Sequence, residues 1–293
     1  MIDLHMHTIN SDGSDTPEEL LKKCEKEGLE YISITDHDTC KSYEDLKNID
    51  IKKIYKGKII TGCELTTLFE KRVIEILGYN VDVSVINKWK DKYNSPEKKK
   101  KRKEETLNKI ILKLNDLGVN VKREDIVLNC SADMAVHREL VKNKKENEKI
   151  LGEGILDSVK TFYRLGISNP ESKLFVDTSM YHPEPKEVVD IIHKAGGKAF
   201  LAHAYQYAFE NTLEMIDRLK EKVLIDGVEA FHSSFTIDEM IEIQEYAKKN
   251  KLYISGGSDY HGTVKPDIHL KTGCDNLHIS KNILDWINED DLW

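Results

Sequence analysis

The chain has 293 residues, long enough for one large domain or for a domain that carries an insertion. Its formal net charge is −8 and 33% of its residues are charged, which argues against duplex DNA as a partner, because such binding runs on a basic surface. No apolar run of about 18 residues occurs, so no membrane span is expected, and the front lacks the basic-then-apolar pattern of a secretory leader.

In chain order, "IDLHMH" (2–7) reads as a strand that ends in two histidines. "TPEELLKKCEKEG" reads as a helix: Thr16 is the N-cap, Pro17 takes the first helical position, Glu19 closes a capping box and Gly28 stops it. "YISIT" is a second strand, "KIITGCE" a third and "RVIEILGY" a fourth. Strands alternating with helices predict parallel βα units. The character changes near residue 87, where charge rises and apolar residues fall at helical spacing. Ser95 and Pro96 mark a helix start, and no buried strand shows before residue 180. A helical insertion is therefore expected over 87–180, between barrel segments 1–86 and 181–293. The basic run "KKKKRK" (98–103) reads as a holder of RNA phosphates or as a solvated helix face, and Glu104 and Glu105, which follow at once, favour the second. After Pro183 the rhythm returns with "PKEVVDIIHKAGG" as helix, "KAFLAH" as strand, "TLEMIDRLKEK" as helix, "GVEAFH" as strand, "DEMIEIQEYAKKN" as helix and "LYISGGSDYH" as strand. The tail "ILDWINEDDLW" is expected to be a short helix.

The five cysteines (Cys24, Cys40, Cys63, Cys130, Cys274) are odd in number and far apart, which fits reduced thiols and a cytoplasmic protein. No CxxC occurs, so a thiolate zinc site is not expected.

The predicted strands share one feature: they end in residues able to bind a metal. The first ends in His5 and His7, the second in Asp36, His37 and Asp38, and the third in Glu64. Later strands end in His203, in His232, and in Asp259 with His261. Parallel βα barrels build their sites at the C-terminal ends of their strands, so such residues would meet at one mouth. Side chains alternate along a strand, which puts His5 and His7 on one face. Asp12 follows closely. Histidines with carboxylates and no thiolate favour Zn²⁺, Mn²⁺ or Fe²⁺ without choosing among them. Asp36 and Asp38 either orient ligands from behind or cap their loop. His182, His193, His269 and His278 read as ordinary loop or helix residues, and His137, beside Arg138, stays open. No G-x-S-x-G elbow or Walker A loop occurs.

"DLHMHTINSDGSDTPEEL", "ITDHDT", "TGCELT", "FLAHA" and "GGSDYHGT" resemble the successive motifs of the PHP (polymerase and histidinol phosphatase) family over about two thirds of the chain. "GVEAFHSSFTIDEM" and "YISGGSDYHGTVKP" are similar to its phosphoesterases of nucleoside 3′,5′-bisphosphates and RNA 5′ ends. The resemblance implies an α/β fold, a distorted (β/α)7 TIM-like barrel, with two or three divalent ions (Mn, Zn or Fe). One ion would take His5, His7, Glu64 and Asp259, a second Asp12, His37 and His261, and a third Glu64 and His203. The family usually adds a histidine to the third site, and Glu75 stands at that place. The branch's insertion carries a phosphate-holding arginine; Asp133 occupies its position and Arg138 is the nearby candidate. Glu64 would bridge two ions, Glu64 and Asp259 would be catalytic with His232, and His232 would contact phosphate or donate a proton. The implied chemistry is attack by a metal-activated hydroxide on a small phosphorylated substrate, a nucleotide or a short RNA 5′ end. The insertion would lie over the mouth and shape substrate choice. Competing readings are a histidinol-phosphate phosphatase, a metal-dependent amide hydrolase, and a metal- or nucleotide-binding module without catalysis.

Overall fold

The structure, a computed structural model, describes residues 1–288 and 292–293. The chain divides into two compact units: Met1–Thr67, Ile74–Lys92 and Pro183–Trp293 make the first, and Leu68–Val73 with Tyr93–His182 the second.

The first unit opens with β1 (Ile2–Asp3), α1 (Pro17–Lys26), β2 (Tyr31–Ile32), α2 (Lys41–Leu46) and β3 (Lys58–Ile59). The α1 start is as read: the Thr16 hydroxyl accepts from the Glu19 backbone N–H, and the Glu19 carboxylate accepts from the Thr16 N–H. β1, β2 and β3 pair in parallel in that order. Next come β4 (Gly62–Phe69), β5 (Arg72–Tyr79) and α3 (Val83–Asn94). The expected parallel βα rhythm fails here. A two-residue turn joins β4 to β5 with no helix between, and Glu70 and Lys71 both take positive φ (49° and 65°), the conformation of a tight hairpin turn.

The second unit carries α4 (Pro96–Asp116), α5 (Ala132–Leu140), α6 (Lys144–Leu151) and the single turn α7 (Val159–Thr161), which runs into a π-helical turn at Phe162–Ile167. Leu107, Ile110, Ile111 and Leu114 of α4 form an i, i+3, i+4, i+7 stripe that is buried with Val136, Leu140 and Phe162. The basic run lies in the first turns of α4, ahead of that stripe, with Lys98 to Lys101 exposed.

The first unit resumes with α8 (Pro185–Lys194), β6 (Lys198–Leu201), α9 (Thr212–Lys220), β7 (Gly227–His232), α10 (Ile237–Asn250) and β8 (Tyr253–Gly257). β4 to β8 form a second sheet in chain order, in which β6 runs antiparallel to β5 and parallel to β7. The named strands thus fall into two sheets and not one continuous ring. Further backbone hydrogen bonds cross both gaps. Leu4 and His7 donate to the carbonyls of Gly256 and Tyr260, and Asp259 donates to that of His5. On the other side Asp38 donates to the Glu64 carbonyl, and Glu64 to that of Asp36. Gly257 permits the first crossing, since a Cβ there would stand 2.3 Å from the His5 nitrogen. Beneath it, Trp286 packs on Tyr79 and Phe200 with ring centroids 5.4 and 4.7 Å away. The expected tail helix is, among the described residues, a single 3₁₀ turn at Lys281–Ile283; positions 289–291 lie outside the description. No helix among the described residues is long and apolar enough to cross a membrane.

Candidate metal centre

The site gathers residues from the segments after β1, β2, β6 and β8, with Glu64 inside β4, Glu75 inside β5 and His232 at the end of β7. The expected third strand ending in Glu64 is instead two strands, since β3 stops at Ile59 and Glu64 lies near the start of β4. His5 and His7 follow β1 on alternate positions and both are fully buried. Glu64, in β4, is their common partner: its Oε2 lies 3.2 Å from His5 Nε2, 3.4 Å from His7 Nε2 and 3.1 Å from His37 Nδ1, while its Oε1 lies 2.8 Å from His203 Nε2. Asp259, held at φ 60° just beyond β8, points Oδ1 at His7 Nε2 (3.2 Å) and Oδ2 at His232 Nε2 (3.5 Å). Asp12 faces His261 Nε2 at 3.2 Å, His7 Nδ1 at 3.5 Å and His37 Nε2 at 3.6 Å. Glu75, from β5, stands 3.6 Å from His203 and 3.8 Å from His37.

All of the residues singled out as metal ligands therefore meet in one place. Four overlapping groups bring ligand atoms within 4.8 Å of one another: His7, Asp12, His37 and His261; His5, His7 and Glu64; His5, His232 and Asp259; His37, Glu64 and Glu75. His232 thus sits against Asp259 and not apart from the cluster. Arg138 belongs to the second unit, where it is exposed and donates to Asn129 Oδ1 at 3.0 Å.

The donor atoms test whether cations fit here. His5 Nε2, His7 Nε2, His203 Nδ1 and Glu64 Oε2 are buried without a hydrogen-bond partner. Buried polar atoms are costly to leave unpaired, and at least three of these face the same few ångströms. Their protonation shows the same frustration. Burial alone would lower His5, yet the carboxylates of Glu229 and Glu64 raise it well above the usual imidazole value. Burial and the neighbouring His261 and His37 push His7 down to about 4. His37 is raised to about 9, because Glu64 and Asp12 outweigh its burial. Burial would raise Glu64, but the surrounding imidazoles hold it well below the carboxylate range. Packed imidazoles cannot all carry protons, and divalent cations would satisfy His5 Nε2, His7 Nε2 and Glu64 Oε2 together.

Three functional neighbours carry no signal strong enough to mark them in the sequence. Glu229, in β7 and fully buried, accepts from His5 Nδ1 and from the His203 backbone N–H, both at 2.8 Å. A lone glutamate in an otherwise apolar strand was the available hint. Asp3 accepts from Ser258 (N 2.9 Å, Oγ 2.7 Å) and from the Lys271 N–H (2.9 Å), tying β1 to the segment that holds Asp259. Lys265 Nζ lies 2.7 Å from Asp259 Oδ2. As for the two aspartates that flank His37, Asp36 accepts from Thr8, Ser11 and Ser42 and anchors the loop after His7, while Asp38 accepts from the Thr66 N–H.

This α/β scaffold gathers histidines and carboxylates from several strands and the segments after them into groups able to hold metal ions. The sequence profile of the PHP domain matches residues 3–234, and the chain belongs to that family; it is a metal-dependent phosphoesterase. It is 25% identical over 264 residues to the phosphoribosyl 1,2-cyclic phosphate 1,2-diphosphodiesterase of Eggerthella lenta, covering 89% of this chain and 94% of that protein. It is 24% identical to the 5′-3′ exoribonuclease Rnm of Escherichia coli (88% and 84% covered) and 21% identical to the 3′,5′-nucleoside bisphosphate phosphatase of Chromobacterium violaceum (89% and 87%). Among solved structures, a protein of Bifidobacterium adolescentis assigned as a metal-dependent phosphoesterase superposes with a TM-score of 0.64 at 22% identity, over 98% of this chain and 94% of that one. A Chromobacterium violaceum amidohydrolase superposes with a TM-score of 0.65 at 20% identity, over 89% and 88%.

Proposed function

We propose that the cluster holds two or three divalent ions and that the protein hydrolyses a phosphomonoester of a nucleoside 3′,5′-bisphosphate, or trims RNA from its 5′ end. In this reading the two sheets, with eight named strands between them, act as one distorted TIM-like barrel, with residues 87–180 as its insertion. The observation that carries the proposal is the convergence of His5 Nε2, His7 Nε2 and Glu64 Oε2, all buried and all without a hydrogen-bond partner. Relatives named for a nucleoside bisphosphate and for RNA supply the substrate class.

The ions would be held by His5, His7, Asp12, His37, Glu64, Glu75, His203, Asp259 and His261. When bound, such ions neutralise phosphoryl oxygens and lower the pKa of water toward neutrality. The protein's own groups do the rest. Glu229 accepts a hydrogen bond from His5 Nδ1–H, which keeps that proton on Nδ1 and leaves the Nε2 lone pair aimed at Glu64 and the cluster. The Asp259 carbonyl accepts a hydrogen bond from His261 Nδ1–H at 2.8 Å, which keeps the proton on Nδ1 and leaves Nε2 facing Asp12. His232 Nδ1 accepts the Ser234 N–H at 3.1 Å, so the neutral ring carries its proton on Nε2, beside Asp259. From there the Nε2–H is placed to donate a hydrogen bond to a phosphoryl oxygen.

The test is phosphate release by Mn²⁺-loaded protein from adenosine 3′,5′-bisphosphate, 5′-phosphorylated RNA, phosphoribosyl 1,2-cyclic phosphate and histidinol phosphate. The first two should turn over fastest. Preference for histidinol phosphate, or inertness on all four, overturns the proposal.

A further inference from the structure

We propose that Lys265 is the substrate's phosphate-binding cation, paired with Asp259 in the free site and transferred to a phosphoryl oxygen when substrate enters. The inference rests on the phosphoesterase reading above and names the group that meets the phosphate. Among the described residues, no other Lys or Arg is seen paired with Asp12, Glu64 or Asp259. Its Nζ makes a 2.7 Å bond to Asp259 Oδ2, the oxygen that also faces His232. The partner carboxylate is 10% exposed and the lysine side chain 38% exposed, so the ammonium stands at the border between the buried cluster and water.

That border is where a phosphate would arrive. An ammonium has three donors, and the bond to Asp259 uses one. Its stem is flexible, so Nζ is able to leave one oxygen for another without a backbone change. The root of the stem, in contrast, is fixed. Thr263 N–H donates to Ser14 Oγ at 2.8 Å and Ser14 N–H to the His261 carbonyl at 3.1 Å, which joins the loop bearing Lys265 to the loop bearing Asp12. Gly262, at φ 66°, makes this approach possible, since a Cβ there would stand 2.1 Å from Ser14 Oγ. Lys265 is thus anchored between two of the proposed ligand-bearing segments with a mobile cation at its tip. A phosphoester dianion entering a site lined by Asp12, Glu64, Glu75 and Asp259 meets repulsion on every side that the ions do not cover. A cation at the rim removes it where the phosphate's outer oxygens face water.

The experiment compares wild type, K265M and K265R, all Mn²⁺-loaded. Metal content is read by mass spectrometry, inorganic phosphate binding by calorimetry, and KM and kcat with the best substrate of the panel above. A charge-assisted hydrogen bond is worth roughly 10–100-fold in affinity. K265M should therefore weaken phosphate binding and raise KM by about that factor with full metal content, and K265R, which keeps a cation, should recover most of the loss. If K265M binds phosphate and substrate within about twofold of wild type, the inference fails while the phosphoesterase reading stands. If K265M instead loses its metal, Lys265 serves only to hold Asp259, and the inference fails again. If wild type itself neither binds phosphate nor cleaves any phosphoester, the underlying reading has failed and takes the inference with it.

Discussion

Replacing Glu229 with glutamine isolates what the buried carboxylate does, because the shape is kept and only charge and donor pattern change. Two N–H groups point at Glu229: His5 Nδ1 at one oxygen and the His203 backbone at the other, each at 2.8 Å. Glutamine offers one acceptor and one donor. If its oxygen keeps the His203 N–H, its amide faces His5 Nδ1 and forces the histidine proton onto Nε2, the atom aimed at Glu64. If the amide turns round, two N–H groups face each other in a fully buried pocket, at a cost of roughly 1–3 kcal/mol. Both outcomes weaken the site. Loss of a carboxylate behind a metal-binding histidine typically reduces metal affinity ~10–100-fold, so E229Q should show that drop. The assay is competition for Mn²⁺ or Zn²⁺ against a chelator of known affinity, with metal content read by mass spectrometry. Affinity within about twofold of wild type would refute the argument that Glu229 sets the His5 tautomer.

Removing His7 or Asp259 by alanine should abolish both stable metal binding and turnover, by more than ~100-fold; retention of both would end the metal-centre reading. Chelation should silence the enzyme and added Mn²⁺ restore it, whereas activity that survives exhaustive chelation would contradict it. Metal binding should be pH-dependent with a definite sign. His37, raised to about 9, is protonated in the metal-free protein below that pH and must lose its proton to ligate. Apparent affinity should therefore climb as pH rises toward about 9, with proton release seen as a dependence of calorimetric heat on buffer ionisation enthalpy. Equal heats in all buffers would count against it. In the second unit, Leu114→Ala empties a fully buried position on α4 and should destabilise that unit by ~2–5 kcal/mol in denaturant unfolding. A change below about 1 kcal/mol would mean that the stripe is not its core.

The residues that converge were legible because most belong to short motifs in a strand or just after one, and because histidine is too scarce to gather there repeatedly without cause. His5 and His7 show it best: an alternating pair at the end of an apolar run announces one face of one strand. The α1 capping box and the stripe on α4 were legible for the same reason, since partners three or four residues apart meet on a helix by local geometry alone. The β4–β5 hairpin was not legible. Its turn is Glu70–Lys71, two residues that rarely take positive φ, in place of the asparagine or glycine that would have signalled it. The antiparallel β5 followed from that miss.

Glu229, Asp3 and Lys265 mark the boundary most sharply. Each is an ordinary charged residue in the sequence, and its role exists only through a partner far along the chain: Glu229 with His5, Asp3 with Ser258, Lys265 with Asp259 as β8 returns beside β1. The sequence by itself determined the chemistry available, the donor set and the local elements that present it, because those depend on residue type and near-neighbour spacing. Only the tertiary structure decided which carboxylate sets which imidazole's proton and which cation reaches the rim. Those choices are made by strand pairing across the sheets, and no local pattern encodes them.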